Sequence, residues 1–75
     1  MKTVRVSWNW HGEEGEVLAG MQPADPDVGI PGPYPDWIEL YGEEGKEILL
    51  NEEEYNNLFQ NETLCQRLQD AYETA

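Results

Sequence analysis

The first ten residues alternate between apolar and polar. Val4, Val6, Trp8 and Trp10 fall on one side, and Thr3, Arg5, Ser7, Asn9 and then His11 on the other. Period-two alternation rich in β-branched and aromatic residues marks a half-buried strand. Residues 12–15 read GEEG, and apolar character returns from Glu16 to Met21. Glycine reaches positive φ without steric cost, so the pattern predicts a four-residue hairpin loop between strands at about 3–10 and 16–21. The theme returns at Trp37, Ile38, Glu39, Leu40 and Tyr41, followed by a second GEEG at 42–45 and then KEILL to Leu50. A second hairpin is expected there, with strands at about 37–41 and 46–50. Two copies of GEEG, 30 residues apart, are too few for a repeat architecture. They read as one turn solution used twice, each time with an acidic tip.

The stretch from Gln22 to Asp36 holds all five prolines. Proline lacks the amide donor that a helix or a central strand needs, and it biases the residue before it away from helix. Residues 22–36 are therefore predicted as a Pro-rich crossover loop over one sheet face, with Val28, Ile30 and Tyr34 available to pack.

Asn51 precedes Glu52, Glu53 and Glu54. An Asn cap accepts an amide hydrogen bond, Glu54 stands at the reciprocal capping-box position, and three carboxylates oppose the positive end of the helix dipole. Tyr55, Leu58 and Phe59 share one helical face, whereas Leu64, Cys65, Leu68, Ala71 and Tyr72 share another. The two faces are offset, and Asn61 between them can cap again. Two helices, about 52–59 and 62–73, fit better than one rod. The predicted fold class is α+β: one domain over 1–75, a small antiparallel sheet of two hairpins, and two C-terminal helices on one face.

Composition narrows the functions. Seventy-five residues allow a single domain with a small core. A hydrophobic fraction of 39% with 11% aromatics is too apolar for a disordered acidic tail. No stretch is long enough to span a membrane and no apolar run follows Met1 and Lys2, so a cytoplasmic location is expected. One cysteine rules out an intrachain disulfide, and with a single histidine it rules out Cys/His zinc sites. Sixteen acids against four bases, a formal net charge of −12, argue against direct binding to nucleic acid or anionic lipid.

No catalytic arrangement emerges. His11 sits beside a turn, Cys65 lies on an apolar helix face, and GEEG lacks the Lys-Ser/Thr ending of a phosphate-binding loop. Asp25, Asp27 and the Glu doublets lack EF-hand spacing, and Asn61-Glu62-Thr63 reads as a helix cap. Neither enzyme chemistry nor a cofactor or metal is expected. The charge itself is the remaining signal. Beyond residue 12 only Lys46 and Arg67 are basic, against all sixteen acids. A domain roughly 30 Å across matches a length of duplex carrying about 18 phosphates. Glu13, Glu14, Glu16, Glu43, Glu44, Glu47 and the run Glu52, Glu53, Glu54, gathered on one side, would attract a basic cleft. A solvated acidic surface kept for solubility is the competing reading. Aromatic residues interleave with the acids. Trp8 and Trp10 share a face with Val4 and Val6 and belong to the core, whereas Trp37 beside Asp36, and Tyr41, lie opposite Ile38 and Leu40 and are interface candidates.

The size, the charge and the run from Pro31 through Trp37, then Gly45 to Leu50, then Asn51 to Tyr55 and a short terminal helix resemble small acidic phage-encoded proteins. These are anti-defence inhibitors of the anti-CRISPR kind and accessory proteins of tailed phages. The resemblance transfers no functional residue. It implies a non-catalytic inhibitor in the host cytoplasm that occupies a basic, nucleic-acid-binding surface of a partner protein. The alternative it implies is an assembly component acting through homo-oligomers, a homodimer among them.

Overall fold

The computed structural model describes residues 2–30 and 32–74; Pro31, in the Pro-rich segment, lies outside the described residues. The fold is α+β. Four strands, β1 (Lys2–Trp10), β2 (Glu13–Gln22), β3 (Tyr34–Tyr41) and β4 (Glu47–Ile48), form one antiparallel sheet in the order β1-β2-β3-β4. Two helices, α1 (Glu52–Phe59) and α2 (Glu62–Thr74), cover one of its faces.

The alternation read from the sequence sorts the faces. Val4 on β1, Val17, Ala19 and Met21 on β2, and Ile38 and Leu40 on β3 are buried beneath Leu58 of α1 and Leu64 and Leu68 of α2. Trp8 and Trp10 lie on this side as expected, but half-buried, packed against the rim of the cluster. Burying such side chains contributes on the order of 1.5–3 kcal/mol each, which is what holds a sheet this small to its helices.

The first hairpin corrects the predicted loop. His11 (φ 50) and Gly12 (φ 85) both take the left-handed conformation, and β2 begins at Glu13, paired with Trp10. Positive φ at both central residues marks the two-residue turn whose twist matches that of its strands. Asn9 Oδ1 accepts the Gly12 N–H at 3.0 Å. Glu13, Glu14 and Gly15 are therefore strand residues, not a tip. The second GEEG is a tip: the Gly42 N–H donates to the Lys46 carbonyl (2.9 Å), the Gly45 N–H to the Gly42 carbonyl (3.0 Å), and Gly45 has φ 78. The strand expected at 46–50 shortens to β4, and Leu49 just beyond it is 83% exposed.

The Pro-rich segment is not a crossover. β2 and β3 are antiparallel neighbours, so the chain between them is a long hairpin loop with a 3-10 turn at Pro26–Val28 and an Asp25–Ile30 bridge. β3 starts earlier than predicted, and a bulge opposite Gly20/Met21 lets Pro35 enter the strand. At Gly20 a Cβ would overlap the Trp37 indole, which lies across the glycine from the opposing strand.

The two helices are capped separately, as the sequence predicts. Asn51 Oδ1 accepts the Glu54 N–H (2.8 Å) while Glu54 Oε1 accepts the Asn51 N–H (3.2 Å). Asn61 Oδ1 accepts the Leu64 N–H at 3.0 Å and caps the start of α2. Two cations tie α2 to β1. Lys2 Nζ donates to the Tyr72 carbonyl (3.2 Å), and Arg67 Nη1 donates to the Ser7 carbonyl (3.0 Å) with its guanidinium 5.4 Å from the Trp8 ring centre.

Candidate interaction face

Strand alternation that buries one side of the sheet must present the other. Pairing places Ser7, Glu16, Tyr41 and Glu47 in one row across the helix-free face. Arg5, Leu18 and Glu39 form the next row, with Asn9 and Glu14 beyond one end and Gly20 and Trp37 beyond the other. At about 7 Å for two residues along a strand and about 10 Å across two strands, each of these carboxylates lies within about one Debye length of its nearest neighbours, ~8–10 Å at physiological salt. They act on an approaching charge together. Between Arg5, Glu14, Glu16 and the turn at Tyr41–Gly45 the face dips into an open depression of about 570 Å³.

Among the described residues, ion pairs join Arg5 Nε to Glu16 Oε2 (3.3 Å) and Lys46 Nζ to Glu44 Oε2 (3.7 Å). Both pairs are largely exposed, so they contribute little. The Tyr41 hydroxyl donates to Glu39 Oε2, one strand repeat away on the same face. That bond, then partial desolvation and the charges of Glu39 and Glu47, hold the Tyr41 phenol above its ordinary range. The neutral, donating phenol is thus the form present throughout the neutral range. In an absorbance titration Tyr41 should ionise above pH 10, and Glu39→Gln should bring it back toward the ordinary value; a titration unmoved by Glu39→Gln would break this assignment.

The residues singled out from the sequence do not all meet here. Glu14, Glu16, Trp37, Tyr41 and Glu47 share the face, and Glu43 and Glu44 edge it at the β3–β4 tip. Glu13 falls in register with Trp10, and its carboxylate lies against Gly42. Asp36 sits at the bulge, exposed. Glu52, Glu53 and Glu54 begin α1 and belong to the helical layer on the other side of the sheet. The acids are therefore divided between the layers, and the helix-free face is distinguished by its half-exposed aromatic and aliphatic company. Arg5, Ser7, Leu18 and Glu39 complete it; parity alone would have found Glu39, which lies between Trp37 and Tyr41 in period two.

Among the described residues no group of three or more His, Cys, Asp or Glu side chains is disposed to hold a metal ion, and no helix is long and apolar enough to cross a membrane. Burial pushes the Cys65 thiol up, and its Sγ donates to the Phe59 carbonyl (3.3 Å), so it packs as a small apolar group. Comparison of the chain with protein-family models, with curated proteins and with solved structures finds no match.

Proposed function

We propose that the chain is a non-catalytic binding module whose helix-free sheet face docks onto a basic, nucleic-acid-binding surface of a partner protein and blocks it. The supporting observation is the partial exposure of Leu18, Trp37 and Tyr41 among Glu14, Glu16, Glu39 and Glu47 on a face that no helix covers. An aromatic centre with an acidic surround suits arginine and lysine side chains, which stack on the rings and pair with the carboxylates. The long-range field of a chain with net charge −12 speeds their approach. The resemblance to anti-defence inhibitors supports the same outcome, stoichiometric occupation of a basic groove inside the host cell.

The test compares two charge-matched variants. One carries Glu14→Gln, Glu16→Gln, Glu39→Gln and Glu47→Gln; the other carries Glu52→Gln, Glu53→Gln, Glu62→Gln and Glu73→Gln. Each is titrated with a synthetic oligo-arginine peptide, and each competes with duplex DNA for a basic duplex-binding protein, over a salt series. Exposed pairs contribute about 0.2–1 kcal/mol each, so the first variant should lose about tenfold or more in affinity. The second should stay within a fewfold of the parent. Equal losses in both variants, or binding indifferent to salt, would refute a dedicated face.

A further inference from the structure

β1 is an outer strand, and its free edge has a usable pattern. The Ser7 carbonyl is bonded outside the ladder, by Arg67, so Ser7 stands where backbone groups point away from β2. In an antiparallel ladder this orientation recurs every second residue, which turns the edge groups of Thr3, Arg5 and Asn9 outward as well. Among the described residues, Arg67 is the one group outside the β1–β2 ladder bonded to the backbone of these positions. We infer that a second copy of this chain docks here, β1 against β1, antiparallel about a twofold axis at Val6.

The register follows from the strand itself. β1 runs Lys2–Trp10 with Val6 at its centre, so this pairing uses every residue of the strand. Arg5 of each copy faces Ser7 of the other, and Thr3 faces Asn9, all through outward-turned backbone groups. On the helical side Val4 faces Trp8, and Lys2 faces Trp10. Centring on Arg5 instead would oppose two like charges and leave strand ends unpaired.

Charge selects the same edge. Residues 2–12 contain no acid, Lys2 and Arg5 lie on the strand, and Arg67 reaches over it. A chain of net charge −12 meets its copy with least repulsion along this strand. The half-buried Val6, Trp8 and Trp10 also line this end of the core, and a second strand beside them continues its cover. Arg67 is then a guard on the edge. It yields the Ser7 carbonyl to the second copy's Arg5 N–H and keeps its place over Trp8. The acidic face is left open and becomes one surface across both copies, so dimer formation and partner binding can fail separately.

Sedimentation velocity of the whole chain, over a concentration series at low and high salt, reads the dimer. The expected result is a reversible dimer whose fraction rises with salt as repulsion is screened. Ser7→Pro removes an outward N–H that the β1–β2 ladder does not use, as edge strands tolerate. It should weaken the dimer at least about tenfold with an unchanged circular dichroism spectrum, and Arg67→Gln should tighten it severalfold. Should Ser7→Pro disturb the fold, hydrogen exchange on the parent chain decides. The amides of Thr3, Arg5, Ser7 and Asn9 should slow as concentration rises. A chain monomeric at every concentration and salt, or a dimer that leaves those amides unprotected, overturns the proposal.

Discussion

Leu68→Ala should leave about half of the molecules, or more, unfolded at room temperature. Leu68 is fully buried on α2 within the cluster formed by Val4, Val17, Ala19 and the other sheet residues. Truncating such a leucine removes its transfer free energy and leaves a cavity that a rigid sheet cannot close, about 2–5 kcal/mol. Domains below roughly 70–80 residues seldom gain more than ~3–5 kcal/mol from one core, so the loss matches the whole margin. Leu49→Ala is the control, because Leu49 is 83% exposed. It should shift stability by no more than about 0.5 kcal/mol. Thermal melts followed by circular dichroism, with the near-ultraviolet signal of Trp8 and Trp10, would show both outcomes. A cooperative Leu68→Ala transition near that of the parent would mean that α2 is dispensable to the core.

Gly15→Ala should be the most damaging of the glycine substitutions in the two GEEG segments, by a different route. A Cβ at Gly15 would overlap the Tyr41 carbonyl, a main-chain atom that no rotamer change can move aside. β3 must shift away from β2, which costs about 1–3 kcal/mol as overpacking and displaces Tyr41 from its row. Gly12→Ala and Gly45→Ala meet open space but sit at φ 85 and φ 78, so each costs about 1–2 kcal/mol in local backbone strain. The distinguishing readout is therefore the amides of Tyr41 and Gly42. Gly15→Ala should perturb them and weaken oligo-arginine binding, while Gly12→Ala lowers stability with those signals in place. If Gly15→Ala left urea stability and the Tyr41 amide unchanged, the strand approach described here would be wrong.

The elements were readable in the sequence wherever local chemistry and periodicity agreed. β1 has unbroken alternation, and Asn51 and Asn61 announce two helix starts that the structure builds with the expected side-chain bonds. The first turn was not readable from alternation. A loop over 12–15 would pair Val6 with Met21, whereas the observed turn pairs Val6 with Val17. Both registers keep the same residues inside, because an even-numbered slip leaves every side chain on its own face. Backbone chemistry at His11 and Gly12 decides, and histidine is among the few residues that accept the left-handed region.

The prolines excluded regular structure between β2 and β3 without indicating which way the chain would return. For the helix-free face, the parity of Trp37 and Tyr41 against Ile38 and Leu40 sufficed to place both rings on it. The union of Arg5, Leu18 and Glu39 required the pairing of three strands, which no single segment encodes. Nor does any segment encode the separation of Glu52, Glu53 and Glu54 from the face, which follows from α1 folding onto the opposite side.

The ties between α2 and β1 bear on how the chain is made. Val4 emerges from the ribosome some sixty residues before Leu64 and Leu68. At 5–20 residues per second, a hairpin of β1 and β2 waits roughly 2–9 s for the leucines that cover it, although hairpins close in microseconds. During that interval two tryptophans and a row of valines face solvent on a nascent chain. By residue 54 that chain already carries thirteen acids against Lys2, Arg5 and Lys46. Neighbouring chains on one messenger repel each other through them, a safeguard against sticking that operates before α2 exists.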